Sequence, residues 1–252
     1  ACAADYTWNG GNASWTDSGA WLLDGNAADW VNGSNALFQT GSTLAVGSGI
    51  SASGLLYEGV AVTLNGGSLT LAGNASGSNG GSATLSGTAL TLNAADAEDA
   101  WTVRDTSLSG SSTLTKTGNG TVTLSGTHTA NGTWNINEGT LVFTGARDIT
   151  AGGKVNIASG AVLDASGGRL FHAANYASNW EQPTITLNGG TLKLNQFGYN
   201  SASLGCLQNN FYALKFSSGT TSRVVISQGY ESGGTGSRGR SEEHTSELQS
   251  LG

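Results

Sequence analysis

Residues 114–141 read LTKTGNGTVTLSGTHTANGTWNINEGTL, and this stretch decides the fold. In TVTL, TWNI and the TLVF that follows, apolar residues alternate and β-branched residues are frequent. That is the period-two pattern of half-buried strands. Gly118, Gly120, Gly126, Gly132 and Gly139 punctuate them, and glycine accepts the positive φ of a sharp corner without a Cβ clash. Short flat strands separated by such corners, recurring in both directions along the chain, predict a solenoid rather than a globule.

The repeat is plainest at a distance. Residues 62–71 read VTLNGGSLTL and residues 185–194 read ITLNGGTLKL, identical at seven of ten positions, so one unit is used twice. Between them the strand-turn-strand element returns at 88–92 (TALTL), 140–143 (TLVF) and 161–163 (AVL). The register residues give the step: 21 positions from Leu69 to Leu90, 19 from Val122 to Leu141 and 21 from Leu141 to Val162. Coils of about 20 residues with strands stacked ~4.8 Å apart predict roughly nine coils between Thr43 and Ile226, a rod on the order of 45 Å long. The single proline, Pro183, fits such a stack, because proline inside a strand deletes a ladder hydrogen bond.

Leu114, Lys116, Gly118, Gly120, Val122, Leu124 and Gly126, followed by Gly132, Ile136 and Gly139-Thr140-Leu141, carry a family resemblance. Their order resembles the autotransporter-associated β-strand repeat, also called the passenger-associated transport repeat. Thr127-His128-Thr129-Ala130 stand where that repeat usually has an Asn and an aromatic residue. Upstream, Thr7-Trp8-Asn9-Gly10-Gly11, Trp15, Trp21, Trp30 and the run NGSNALF at 32–38 resemble the leader that opens passenger domains of this type. The resemblance implies an all-β chain, a single-stranded right-handed parallel β-helix (β-solenoid), belonging to a bacterial envelope protein displayed outside the cell. The expected organisation is a remnant of a secretory signal region at 1–4, an N-terminal Trp-rich cap at 5–42, passenger repeats at 43–238 and an artefactual, disordered tail at 239–252. Loop insertions fall near 167–183 and 196–212.

Composition narrows the partners. Charged residues make up 11% of the chain and the formal net charge is −7, so phosphate backbones and anionic bilayers find little attraction. Nucleic acid is not an expected partner. No apolar run reaches the ~20 residues of a membrane span, so this stretch makes no membrane contact, and any anchor or translocator is expected further along the gene. Ala1-Cys2-Ala3-Ala4 resembles the small-residue cleavage region of a secretory signal. Residues 240–250, RSEEHTSELQS, resemble an in-frame translation of a library-sequencing adapter, and His244 and the three tail glutamates carry no functional weight. Cys2 and Cys206 are the only cysteines. They fall near opposite ends of the expected rod, and a disulfide needs Cα atoms within about 7 Å, so they are read as free thiols.

Catalytic chemistry is sparse. Asp96, Glu98 and Asp99, followed by Arg104 and Asp105, form the densest charge before the tail, yet three acids within four residues read as a solvated turn rather than a cleft. His128 and His172 are too isolated to form a pair, and no nucleophile elbow, zinc spacing or phosphate loop appears. No cofactor or metal is expected. The early tryptophans are read as a cap sealing the open end of the core in preference to a sugar platform, and Asp5, Asp17, Asp24 and Asp29 as solvated turn residues. The period breaks between Val162 and Leu192, where the step grows to 30 positions, and again at 196–212. Such insertions leave a rod as loops and often form its binding face. The preferred reading is that these loops cover the side of the helix with their aromatics packed down; if the chain contacts a ligand, Tyr176, Trp180 and Tyr199 are the candidate contacts, with an extracellular glycan or host-surface ligand as partner. Three functions are weighed: a non-enzymatic surface passenger, which is preferred; a glycan-binding adhesin using loop aromatics; and a β-helix polysaccharide lyase or hydrolase, which only fold analogy supports.

Overall fold

The computed structural model describes residues 3–11, 13–147, 153–170, 184–194, 196–197, 206–207, 213–226 and 244–249, and all regular structure among them is β-strand. The strands stack into three walls of one parallel β-solenoid. The first wall runs through residues 50–52, Ser68–Leu71, Ala89–Asn93, Thr113–Thr117, Trp134–Ile136, Lys154–Ala158, Thr184–Asn188 and Ala213–Phe216. The second follows Ser34–Phe38, residues 55–58, Ala75–Ser78, Ala100–Val103, Thr121–Leu124, Thr140–Phe143, Val162–Asp164, Thr191–Leu194 and Thr221–Ile226. The third stacks Ser42–Ala45, Ala61–Asn65, Ser82–Ser86 and Thr106–Ser109. It continues through Thr127–His128 and Ala146–Arg147 to a bridge at Arg169.

Alternation makes this a core. Leu69, Leu90, Leu114, Trp134, Val155 and Ile185 are register partners in successive coils of the first wall, and all are buried. Val122, Leu141, Leu163 and Leu192 do the same in the second wall. A fully buried side chain of this kind contributes ~1.5–3 kcal/mol relative to exposure, and each lies on a like neighbour one coil away. Outward positions in the same strands carry Thr, Ser and Asn, as at Thr70, Thr91, Thr115 and Asn135.

The N-terminal segment adds its tryptophans to the core cluster. Trp8, Trp15 and Trp21 are buried, with ring centroids 4.8 Å apart for Trp15 and Trp21 and 5.1 Å for Trp8 and Trp21. Trp21 Nε1 donates to the Trp15 carbonyl at 2.8 Å and Trp8 Nε1 to Ser42 Oγ at 2.9 Å. The solenoid register already starts inside this segment, because Asp5–Trp8 lies parallel on Ser34–Phe38, while Trp21–Leu23 and Asn26–Ala28 fold back antiparallel.

Four expectations need correction. Against the roughly nine coils expected, about six turns are complete among the described residues: the second wall stacks nine strands, whereas the third wall stacks six, ending at Ala146–Arg147 before the bridge at Arg169. The partner of Leu141 is Leu163, with Val162 opposite Thr140; in Ala161-Val162-Leu163 adjacent apolar residues hide the phase, and a one-residue slip reverses the faces. The duplicated LNGG unit does not occupy the same place twice. Its first copy turns the third wall into the first, through Ala61–Asn65 and Ser68–Leu71, and its second turns the first wall into the second, through Thr184–Asn188 and Thr191–Leu194. Finally, the tail read as disordered contains a strand, His244–Gln249, that pairs antiparallel with Thr221–Ile226. The last strand of a wall exposes unpaired N–H and C=O groups that an extended segment can satisfy, and the reversed direction distinguishes this addition from another coil.

Candidate functional site

The repeat motif at 114–143 builds one corner of the fourth and fifth coils, and a buried cation organises it. Lys116 stands in the inward ladder between Leu92 and Ile136 and is fully buried. Its Nζ donates to the carbonyls of Thr117 at 2.8 Å, Gly118 at 2.7 Å and Glu138 at 3.2 Å. All three ammonium donors are thereby used on corner carbonyls of two successive coils. Glu138 completes the clamp by accepting from the Gly118 N–H at 2.7 Å. Burial pulls the Lys116 ammonium below its usual range, and the Glu138 carboxylate partly offsets the pull. The corner itself depends on glycine: Gly118 and Gly139 have φ of 74° and 60°, and a Cβ at Gly139 would collide with the carbonyls of Gly118 and Gly120.

The remaining motif residues are placed by the same alternation. Leu114, Val122, Leu124 and Leu141 face the core, while Thr140 faces outward opposite Thr121. Gly126 turns the second wall into the third with φ of 103°. The alternation at Leu114 and Lys116 is legible in the sequence, and it puts the lysine on the inward phase; the presumption that charge faces water hides its role.

A second polar cluster lies on the third wall of the same coils. His128 and Arg147 are register partners and both are buried. The Arg147 guanidinium lies 4.4 Å from the Trp134 ring centroid, a cation–π geometry, and Nη2 donates to the Gly132 carbonyl at 2.7 Å. Burial lowers the guanidinium to about 9, so it stays charged at neutral pH. His128 accepts the Leu108 N–H on Nδ1 at 3.2 Å, and its Nε2 is buried without a hydrogen-bond partner. Its ring packs 5.8 Å from both Trp134 and Phe143. Burial, reinforced by the Arg147 charge, holds the imidazole down at about 4, so His128 is neutral under ordinary conditions. Isolation in sequence conceals this cluster; the coil period alone brings 128 and 147 together.

The acidic run forms one local turn. Asp96 N–H donates to Asp99 Oδ2 at 3.0 Å and Asp99 N–H to the Asp96 carbonyl at 3.1 Å. Asp96 and Glu98 are exposed. Asp5, Asp17, Asp24 and Asp29 are exposed as well, and Asp17 and Asp29 accept the N–H groups of Ser14 and Gly19 at 2.8 and 3.0 Å. Tyr176, Trp180 and Tyr199 lie outside the described residues, as do His172 and Cys2. Among the described residues no group of three or more His, Cys, Asp or Glu side chains is placed to hold a metal ion.

Comparison with known proteins agrees with the architecture. Residues 114–143 match the family described as Passenger-associated-transport-repeat, so the autotransporter repeat read from Leu114 to Leu141 is present. The chain is 27% identical over 202 residues, 77% of its length, to the Adhesin BmaC autotransporter of Brucella suis biovar 1 (strain 1330). It spans 5% of the length of that relative. No solved structure matches the chain.

Proposed function

We propose that this chain is a segment of an exported bacterial passenger, displayed at the cell surface, whose β-solenoid is a non-enzymatic scaffold. The observation that carries the reading is the use of inward positions. Successive coils share one apolar core, and Lys116 and Arg147 give donors to backbone carbonyls of the solenoid itself rather than to a cleft. The passenger repeat at 114–143 and the similarity to an autotransporter adhesin support export to the surface. Acid–base chemistry on a substrate needs groups converging within hydrogen-bonding reach of one point, whereas Asp96, Glu98 and Asp99 share a single turn. The test is incubation of the chain with neutral and acidic polysaccharides, which should release no new reducing ends and no unsaturated products. Turnover abolished by changing Asp96, Glu98 and Asp99 together to Asn or Gln would overturn the reading.

A second reading is adhesion, favoured by the name of the relative. An uncharged glycan is its partner of choice, since aromatic faces and amides supply stacking and hydrogen bonds without charge, and Tyr176, Trp180 and Tyr199 are its loop candidates. A glycan array probed with residues 5–238 tests it: reproducible binding supports adhesion, and uniform silence removes it.

A further inference from the structure

The outer face of the second wall, beside the N-terminal segment, carries a groove of about 430 Å³, within the size range of small-ligand sites. A glycine opens it. Parallel pairing puts Asp5, Asn35 and Gly54 in one outward row and Leu37, Leu56 and Ser76 in the next. At Gly54 the row has no side chain, and Asn74, on the corner leading into the following strand, closes its far end. A Cβ at Gly54 would lie 3.1 Å from Asn35 Oδ1 and 3.2 Å from the Asn74 backbone carbonyl, so glycine at this position is what lets the Asn35 amide lean across the row.

The two amides are oriented from behind. Asn35 Nδ2 donates to Asp5 Oδ1 at 2.8 Å; a carboxylate only accepts, so Asn35 Oδ1 is left over Gly54 as a fixed acceptor. Asn74 Oδ1 accepts the Thr102 N–H at 2.9 Å and Thr102 Oγ1 at 3.3 Å, which leaves Nδ2 as a donor. Beside this pair lies Leu56, 39% exposed and one of two large apolar side chains exposed among the described residues.

We propose that this groove binds a neutral pyranose sugar, with the aliphatic ring face on Leu56 and Leu37 and adjacent hydroxyls on Asn35 Oδ1 and Asn74 Nδ2. The proposal rests on the adhesive reading but places binding on the rod itself. Three observations select the ligand class. No Lys or Arg lines the groove, so an anionic sugar or phosphate has no counter-charge. The strands beneath are paired on both sides, so a peptide cannot add as a further strand, the mode that depends on a free edge. The fixed donor, the fixed acceptor and the apolar shelf together match a ring that carries hydroxyls at its rim and C–H groups on its face. Because the amides are held before any ligand arrives, little ordering cost is added on binding.

Saturation-transfer NMR on the full chain tests this with the methyl glycosides of glucose, galactose and mannose, and with glucuronate as the charged control. At least one neutral glycoside should receive saturation while glucuronate does not. Leu56→Asp, at an exposed position, and Asn35→Ala should each weaken binding by about tenfold, the equivalent of one lost hydrogen bond or a comparable apolar contact, with melting temperatures unchanged. Transfer that survives both substitutions overturns the groove and leaves adhesion through the loops standing. Preference for glucuronate overturns the neutral ligand class. Silence from every glycoside removes the groove and, combined with a silent glycan array, the adhesive reading as well.

Discussion

Replacing Lys116 with Met should destabilise the protein, and two opposing effects set the size of the change. Methionine has nearly the same length and would extend the ladder between Leu92 and Ile136. It also removes the cost of keeping an ammonium out of water, and exchanging buried charges for apolar groups is often neutral or stabilising. Against this, the carbonyls of Thr117, Gly118 and Glu138 each lose a charged donor at 2.7 to 3.2 Å. A buried acceptor left short of a partner costs roughly 1–3 kcal/mol. The corner cannot relax to meet water, because Gly118 and Gly139 are held at positive φ against the carbonyls of the neighbouring coil. The Thr117 carbonyl also accepts the Ala94 N–H at 3.2 Å, which moderates its loss. The balance is a net destabilisation of about 3 kcal/mol, or ~6–12 °C in melting temperature for a chain of this size. Calorimetry and far-ultraviolet circular dichroism at pH 7 would measure it. A Lys116→Met protein as stable as the parent would refute the clamp and make the lysine a tolerated charge.

Stability should fall in acid through His128. Its folded value is lowered to about 4 from 6.5, so the unfolded chain takes the proton first as pH drops. The contribution is therefore complete above about pH 6.5 and is lost progressively toward pH 4, on the order of 3 kcal/mol over that interval. His128→Gln should flatten this part of the melting-temperature profile, and an unchanged profile counts against the placement. Leu163→Asp should cost several kcal/mol, on the order of 4, by burying an unpaired charge, whereas Val162→Asp should cost less than about 1; equal losses would contradict the register. A chain ending at Arg238 should melt within about 1 °C of the full chain, because the antiparallel strand at His244–Gln249 covers one edge and adds no coil. A large drop would show that this cover is part of the fold.

The fold was legible where alternation was clean. Leu69, Leu90, Val122 and Leu141 fall into register at the steps of 21 and 19 positions that the sequence displays, because Leu69 and Val122 have polar residues on both sides and Leu90 and Leu141 each have a threonine on one side to fix the phase. Legibility failed at Val162, where three apolar residues in a row carry no phase. It also failed for the charged interior: a single lysine or arginine in a strand ordinarily points to water, and only the stacking of coils shows that carbonyls and the Trp134 ring wait inside. The groove at Gly54 was hidden for a related reason. A glycine reads as a corner, whereas here it makes room for the Asn35 amide in a row whose members lie 19 or more positions apart in sequence. Tyr176, Trp180 and Tyr199 fall outside the described residues, so the loop contacts read from composition stand as proposals.

The two copies of the LNGG corner turn different pairs of walls, and this bears on how such a gene can change length. Near-identical segments invite recombination, and losing whole coils would leave every surviving side chain on its original face. An exchange between these two copies would instead fuse a third-wall strand to second-wall sequence, in the place where a first-wall strand follows. Every residue downstream would be displaced by a third of a turn relative to everything before it. The core would still be apolar, since the inward phase of the strands is kept, but the faces displayed to the surroundings would be dealt out in a new order. Shared corners therefore let a shortened rod keep its interior while changing what its surface presents.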